Sequence, residues 1–495
     1  MTTTREMVVK KNEIPLSDWE GYYKFGRAVA DDEFNFIRLS RTGASVEAKG
    51  KDAGDEDEES AGDIDQTFRD GTDALARRDF KGAPEVFEKV IAKDPNHKSA
   101  HLNLGLAQGA QGHTFDALAQ FQKEEQISPD DPRAYQAAAL LANYMGNTNG
   151  AIAEWRKLLK ADPANGTAAT SLAGLLMQQE KYTDAAEVLE VAVKAAPDNS
   201  GLQYQLGEAY FKSGQGDKAV TRMKQAVEQK DDDPDMLNNV AYLLADNKTN
   251  LDLALQYAER AVDEIEDRSR GAESSDQVGL DLTYRYGLIW DTLGWVHFRQ
   301  GDRKRAESLV RASWSLGEDS LVAEHLGEIY AKEGKIQEAA RAYEYALAVA
   351  SVPPVALTDA QKAYNRHADE IKARYKKLTG KEVPLSEIRR PPNGEWTQTP
   401  AEQLRHSREV KVSNPGKLSG KAQFIVEIKP GKVDSAHYRS GDDTLEPLED
   451  RLVEAHYPLE FPPDGGALLV LRIEVNCQPA TPCIAALVDP VPERR

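Results

Sequence analysis

"LIWDTLGWVHFRQGDRKRA", Leu288 to Ala306, sets a Leu-Gly pair and Trp295 ahead of a Gly-Asp turn and an alanine. Alone it fits any helical hairpin, but a spacing that recurs decides a whole fold. Pro95, Pro129, Pro163 and Pro197 lie thirty-four residues apart. Ala83, Ala117, Ala151, Ala185 and Ala219 keep the same step, as do Leu104, Ala138, Leu172, Leu206 and Val240. Three position classes therefore share one period. Within each unit, apolar residues recur with a period of about 3.6 over two short stretches. Between the stretches stand Gly, Asn or Asp, as in GH at 112–113, GN at 146–147 and GQGD at 214–217, which predicts helix, turn, helix.

Tyr135, Ala138, Ala139, Ala142, Ala151, Trp155, Leu158 and Pro163 fit one unit, and Leu206, Gly207, Tyr210, Ala219, Met223 and Ala226 another. These residues resemble the tetratricopeptide repeat: a bulky residue, Leu-Gly or Leu-Ala, an aromatic, then Ala, a bulky residue, Ala and a closing Pro. The resemblance runs from about Asp65 to Pro197 and on to Ala226. Beyond that the register slips by about one residue in "DMLNNVAYLLADNKTNLDLALQYAERAV", and "RSRGAESSDQVGLDLTYRYG" interrupts the array. Leu293, Gly294 and Ala306 are then answered by Leu326, Gly327 and Ala339, so the opening stretch is the first helix and turn of a late repeat. The resemblance implies a mainly α fold, a right-handed α-solenoid of about eight hairpins over residues 65–350. Gly or Ala at the eighth and twentieth positions lets paired helices approach closely, and stacking of hairpins supplies the core that one hairpin lacks. The charged stretch 351–380, with Thr358 and Asp359 as N-cap candidates, reads as a capping helix.

With 495 residues, the length suggests three or more domains, and a net charge of -20 with pI near 5.1 argues against nucleic acid or an anionic membrane as main partner. No stretch approaches 18 apolar residues, so no transmembrane helix is expected. "MTTTREMVVKKNEIPLSDWEGYYKFGRAV" carries no apolar core for a secretory signal, and the expectation for the chain as given is the cytoplasm. Residues 44–64 are acidic and lack large apolar side chains, which predicts a flexible linker. Residues 1–43 read as a short strand-helix segment, too small for its own core. They resemble the junction, in some bacterial exported proteins, between a transglutaminase-like part and a tetratricopeptide array. That resemblance implies a longer architecture and a periplasmic or exported location.

After an expected linker at 381–415, residues 416–495 read as a small α+β domain. Strands are expected at Ala422–Ile428, Val433–Tyr438, Leu468–Val475 and Ile484–Val488, with a helix from about Leu445 to Ala455. The order "PGKVDSAHYRSGDDTLEPLEDRL...YPLEFP" is similar to the carboxyl-terminal domain of TonB-like proteins, which implies a sheet edge that pairs with a partner's extended segment. Cys477 and Cys483, the two cysteines of the chain, lie close together in this domain. They are disulfide candidates, since facing strands joined by "QPATP" bring Cα atoms into bonding range, with free thiols as the alternative. His437 and His456 share the domain without metal-ligand spacing, and no metal or other cofactor is expected.

No phosphate loop, GxSxG elbow or HExxH occurs, and the cysteines look structural, so no catalytic residue is assigned and no enzyme is expected. What a repeat array can do is bind. In the resembled family, the second, fifth, ninth, twelfth and thirteenth positions of each repeat face a concave groove. Carried over, they are Arg133, Gln136, Asn143 and Tyr144; Thr170 and Gln178; Tyr204, Glu208, Phe211 and Lys212; Asn238, Tyr242 and Asp246; and Trp295, Phe298 and Arg299. Exposed aromatics anchor contacts and Asn can hydrogen-bond an extended backbone; packing against the neighbouring repeat is the alternative for Trp295 and Phe298. The expected function is a non-catalytic scaffold for protein or peptide partners, with an accessory part of a larger exported transglutaminase-like protein or hydrolase as the second reading.

Overall fold

The computed structural model describes residues 55–230, 232–271, 276–317, 319–350, 358–384, 408–463 and 465–488. The expected strand-helix segment 1–43 and residues 44–54 of the expected linker lie outside them. The chain divides into two compact units, one running through Ala196 and one starting at Pro197.

The first unit comprises α1 (Asp55–Ala76), α2 (Ala83–Lys93), α3 (Ala100–Ala110), α4 (Thr114–Ile127), α5 (Pro132–Tyr144), α6 (Thr148–Ala161), α7 (Gly166–Gln178) and α8 (Tyr182–Ala195). Each odd-numbered helix packs on the next as a hairpin. Helix α1 corrects the linker reading, because residues 55–64 form its first turns. It is tied down near that end: Lys93 pairs with Asp63, and the Thr67 hydroxyl donates to the Asp63 carbonyl at 2.8 Å.

The hairpin geometry follows from a few residue types. A left-handed residue recurs in the turns at Arg78, Gly112, Gly146, Glu180, Gly214 and Lys248, and again at Gly301 and Gly334. At the eighth position, glycine removes the atom that would collide with the partner helix: a Cβ on Gly105 would stand 2.6 Å from the Phe121 ring. Side-chain caps open the first helix of several hairpins: Asn165 accepts from the Ala168 N–H, Asn199 from Leu202 and Asp319 from Leu321 and Val322.

The second unit continues with α9 (Ser200–Lys212), α10 (Gly216–Glu228), α11 (Pro234–Asp246), α12 (Leu251–Gly271), α13 (Asp276–Gln300), α14 (Arg303–Leu316), α15 (Ser320–Glu333), α16 (Ile336–Ala350) and α17 (Thr358–Thr379). Helices α12 and α13 have 21 and 25 residues, longer than the 13 to 15 of the other hairpin helices in this unit. The interruption seen in the sequence is thus largely extra helix. Ile371 and Tyr375 of α17 pack on Tyr343, Ala346 and Leu347 of α16 and close the apolar face of the last hairpin.

Strands β1 (Glu409–Val412), β2 (Gly420–Lys429), β3 (Lys432–Gly441), β4 (Leu469–Cys477) and β5 (Cys483–Val488) form one antiparallel sheet in the order β1-β5-β4-β2-β3. Strand β1 lies in the stretch expected as linker; its pairing with β5 and the burial of Val412 make it part of the sheet. The expected helix at 445–455 is a 3-10 turn (Asp443–Leu448) running into α18 (Glu449–Val453), with Pro447 inside the turn. Proline supplies no N–H and breaks a regular α-helix there.

One sheet face, with Phe424, Val426, Leu471, Ile473 and Val475, is covered by Leu445, Leu448, Leu452 and Tyr457. The other face is covered by the extended end of α13. Leu280 packs on Ile425 and Val470, and a Cβ on Gly279 would stand 2.4 Å from Val470. The Val470 N–H donates to the Thr283 hydroxyl at 2.8 Å. Around this contact, Arg311 of α14 makes a fork to the Glu460 carboxylate, Arg408 donates to the Leu316 carbonyl at 2.9 Å, and Arg439 pairs with Asp276. The terminal domain is built onto the late hairpins.

Candidate functional site

The eighth-position residue of each first helix faces its own partner helix, so the fifth, ninth, twelfth and thirteenth positions turn toward the other side. In the first unit this side carries Gln136, Asn143 and Tyr144 of α5, all half-buried, and Thr170 and Gln178 of α7, half-buried and exposed. Arg133 has structural work: its guanidinium holds the Asp131 carboxylate and donates to the Ser99 hydroxyl at 2.8 Å. Leu106, Leu140 and Met177 stand on the same side, Leu140 with 41% of its surface exposed.

In the second unit Tyr204, Glu208 and Phe211 of α9 are half-buried and Lys212 is exposed. Burial pushes the Glu208 carboxyl and the Tyr204 hydroxyl above their ordinary values; for Glu208 the nearby Lys212 pulls the other way. Farther along, the candidates are drawn into packing. Asn238 is 8% exposed, Trp295 2% and Phe298 9%. The His325 ring stacks on Trp295 at 3.8 Å, the Arg299 guanidinium lies 4.0 Å from the same ring, and Phe298 stacks at 5.1 Å. Trp295 and Phe298 are therefore packed side chains and not open contact anchors.

Charge on this side is largely matched within the fold. His325 donates from Nδ1 to the Asp291 carboxylate at 2.9 Å, Arg299 reaches Asp246 at 3.4 Å, and Asp235 pairs with Arg285. Arg374 of α17 pairs with Glu324 at 2.5 Å and with Glu328. Each pair joins one first helix to the next or to α17. Sequence reading passed over Asp291, Glu324 and Glu328, although the fifth- and ninth-position rule, carried through the late repeats, reaches all three. It also passed over Leu106, Leu140, Met177 and Gly174, which occupy ninth and twelfth positions but carry no polar or aromatic group.

In the terminal domain, Cys477 and Cys483 are joined in a disulfide across the β4–β5 hairpin, with Cα atoms 4.2 Å apart. Asn414 accepts from the Leu418 N–H and donates to the carbonyls of Leu418, Gln478 and Thr481, tying the β1–β2 loop to that hairpin. The sheet has β1 and β3 as edges. On β3 the Tyr438 N–H is taken by the Glu449 carboxylate at 2.7 Å, which occupies a place a further strand would need. No group of three His, Cys, Asp or Glu poised for a metal ion stands among the described residues, and none of their helices is long and apolar enough to cross a membrane.

Comparison with known proteins places the repeats. One family model of the tetratricopeptide repeat matches residues 68–132 and 137–200, and a second matches residues 176–245. Among solved structures, MamA is 22% identical with a TM-score of 0.30, over 34% of this chain and 92% of its own. A MamA structure from Desulfovibrio magneticus is 22% identical with a TM-score of 0.29, over 35% of this chain and 96% of its own. YrrB, described as a tetratricopeptide protein with an unusual peptide-binding site, is 22% identical with a TM-score of 0.31, over 37% of this chain and 93% of its own. No curated protein matches the chain. Within residues 68–245, the recurring hairpins of this chain are tetratricopeptide repeats.

Proposed function

We propose that the chain is a non-catalytic scaffold that holds protein or peptide segments against the side formed by the first helices of its hairpins. The observation that supports this reading is made in each unit by itself: half-buried or exposed polar and aromatic side chains stand there, Gln136, Asn143 and Tyr144 in the first unit and Phe211 and Lys212 in the second. An extended segment laid across successive helices would meet a new set of such groups at each repeat. The test compares capture from native extract by the intact chain, by an Asn143→Ala, Tyr144→Ala, Phe211→Ala, Lys212→Ala variant, and by a control with Val191→Ala on α8. All three are first matched for helicity by circular dichroism. A partner held by the intact chain and the control, and lost by the fourfold variant, supports the reading. A partner held equally by all three refutes it.

A second reading, an accessory part of a larger exported protein, draws on the Cys477–Cys483 bridge, since such bridges persist in oxidising compartments. Thiol counting on the protein from its native source tests it: two blocked cysteines support export, and two free thiols oppose it.

A further inference from the structure

Two carboxyl groups with no part in the first-helix surface are buried together in the first unit. Glu125, in the last turn of α4, is 8% exposed, and Glu154 of α6 is 6% exposed. Helices α4 and α6 are the second helices of consecutive hairpins, and the two side chains meet at the junction between those hairpins. Both reach one cation: the Lys157 ammonium lies 2.9 Å from Glu125 and 2.8 Å from Glu154. Glu125 Oε1 is buried and accepts no hydrogen bond. The other charged and titratable groups around the pair have different work. On α4, Glu124 accepts from the N–H groups of Ser99 and Leu102 and from the Ser128 hydroxyl. At the start of α5, Asp131 holds Arg133. Tyr135 brings no charge, because burial and then Glu125 raise its hydroxyl above the ordinary value, with Asp130 adding a weaker push in the same direction.

Two carboxylates against one ammonium leave one unmatched negative charge in a place with little water. A buried carboxylate without its own counter-ion takes up a proton instead. We infer that Glu125 and Glu154 share one proton near neutral pH, and that this proton is the catch of a pH-sensitive junction between the α3–α4 and α5–α6 hairpins. In the closed state one carboxyl group is protonated and donates to the other, which supplies the partner that Glu125 Oε1 lacks, while Lys157 neutralises the remaining carboxylate. As pH rises the proton passes to solvent, two buried carboxylates face each other across the junction, and the second helices loosen. Burial, reinforced by Glu154 and partly offset by Lys157, pushes the Glu125 carboxyl up to about 7, which places the transition in the neutral range. A repeat array carries such a change onward, because each hairpin is aimed by its junction with the one before. The junction works in this way whether or not the first-helix sides hold a partner.

The experiment compares amide hydrogen exchange of the whole protein at pH 6 and pH 8, read helix by helix and corrected for the intrinsic effect of pH, in the parent, Glu154→Gln and Lys157→Met. Infrared spectra over the same range count the protonated carboxyl groups. Glu154→Gln leaves one carboxylate for one ammonium and adds an amide donor, so it should fold at both pH values. Expected in the parent is a loss of protection in α4 and α6 of about tenfold or more from pH 6 to pH 8, with α2 unchanged, together with loss of one carboxylic acid band. In Glu154→Gln both changes should vanish. In Lys157→Met both should move to higher pH, because no ammonium then competes with the proton. A Glu154→Gln variant that keeps the parent's pH dependence would overturn the inference, since a single carboxyl group would then act alone. So would a parent with no acid band lost above pH 6 or with equal protection at the two pH values, and so would a shift to lower pH in Lys157→Met.

Discussion

At the scale of single residues, the turns of the hairpins record a conflict between sequence and backbone. Gly112, Gly146 and Gly214 take the left-handed conformation at little cost, but Glu180 holds it with φ 61°. A side chain there strains the backbone by roughly 1 kcal/mol. Glu180→Gly should therefore raise the unfolding free energy by about 0.5–1 kcal/mol, read as a higher denaturant midpoint with unchanged slope; a lower midpoint would show that the turn is not strained. A second residue-scale effect belongs to Glu125. Burial, only partly offset by Lys157 and reinforced by the neighbouring Glu154, pushes its carboxyl up to about 7. The folded state then holds a proton that the unfolded chain has released. The favourable contribution is complete below the ordinary carboxylate range and is lost as pH rises from about 4.5 to about 7. Stability of the intact chain should fall by about 1 kcal/mol across that window relative to Glu125→Gln, measured as the difference in chemical unfolding at pH 5 and pH 8. Parallel curves for the two proteins would contradict it.

At the scale of elements, the extended α13 is the feature with the largest structural consequence. Its Gly279 lets β4 approach so closely that a Cβ would stand 2.4 Å from Val470, and Thr283 supplies the acceptor for the Val470 N–H. Gly279→Val adds three carbons to that contact and should destabilise the second unit by about 1–3 kcal/mol, the usual range for overpacking a tight interface. Unchanged thermal unfolding would show that the sheet does not sit on α13. The hairpin helices were legible in the sequence because Ala, Gly and Pro return at a fixed step, and each occurrence supports the others. This contact was not legible. Gly279, Leu280 and Thr283 obey no period, and the hydrogen bond from Val470 to Thr283 spans 187 residues. Strand β1 escaped for a related reason: four residues carry too short an alternation to distinguish a strand from a linker, and only pairing with β5 decides. The candidate groove divided in the same way. Its positions follow from the repeat, but the burial of Trp295 depends on His325 and Arg299 packing against its ring, which a position number does not encode.

At the scale of the whole molecule, the chain combines two units of hairpins, the second carrying an antiparallel sheet built onto its late repeats. On the first-helix side of the second unit, charged groups tie neighbouring helices together. The central claim is that the first-helix side holds a partner. Amide hydrogen exchange of the intact chain, with and without the partner it captures, tests it most directly. The account predicts slowed exchange on binding in the first helices α3, α5 and α7, with the second helices α4, α6 and α8 unchanged. Protection confined to the second helices, or to the edge strands β1 and β3, would contradict it.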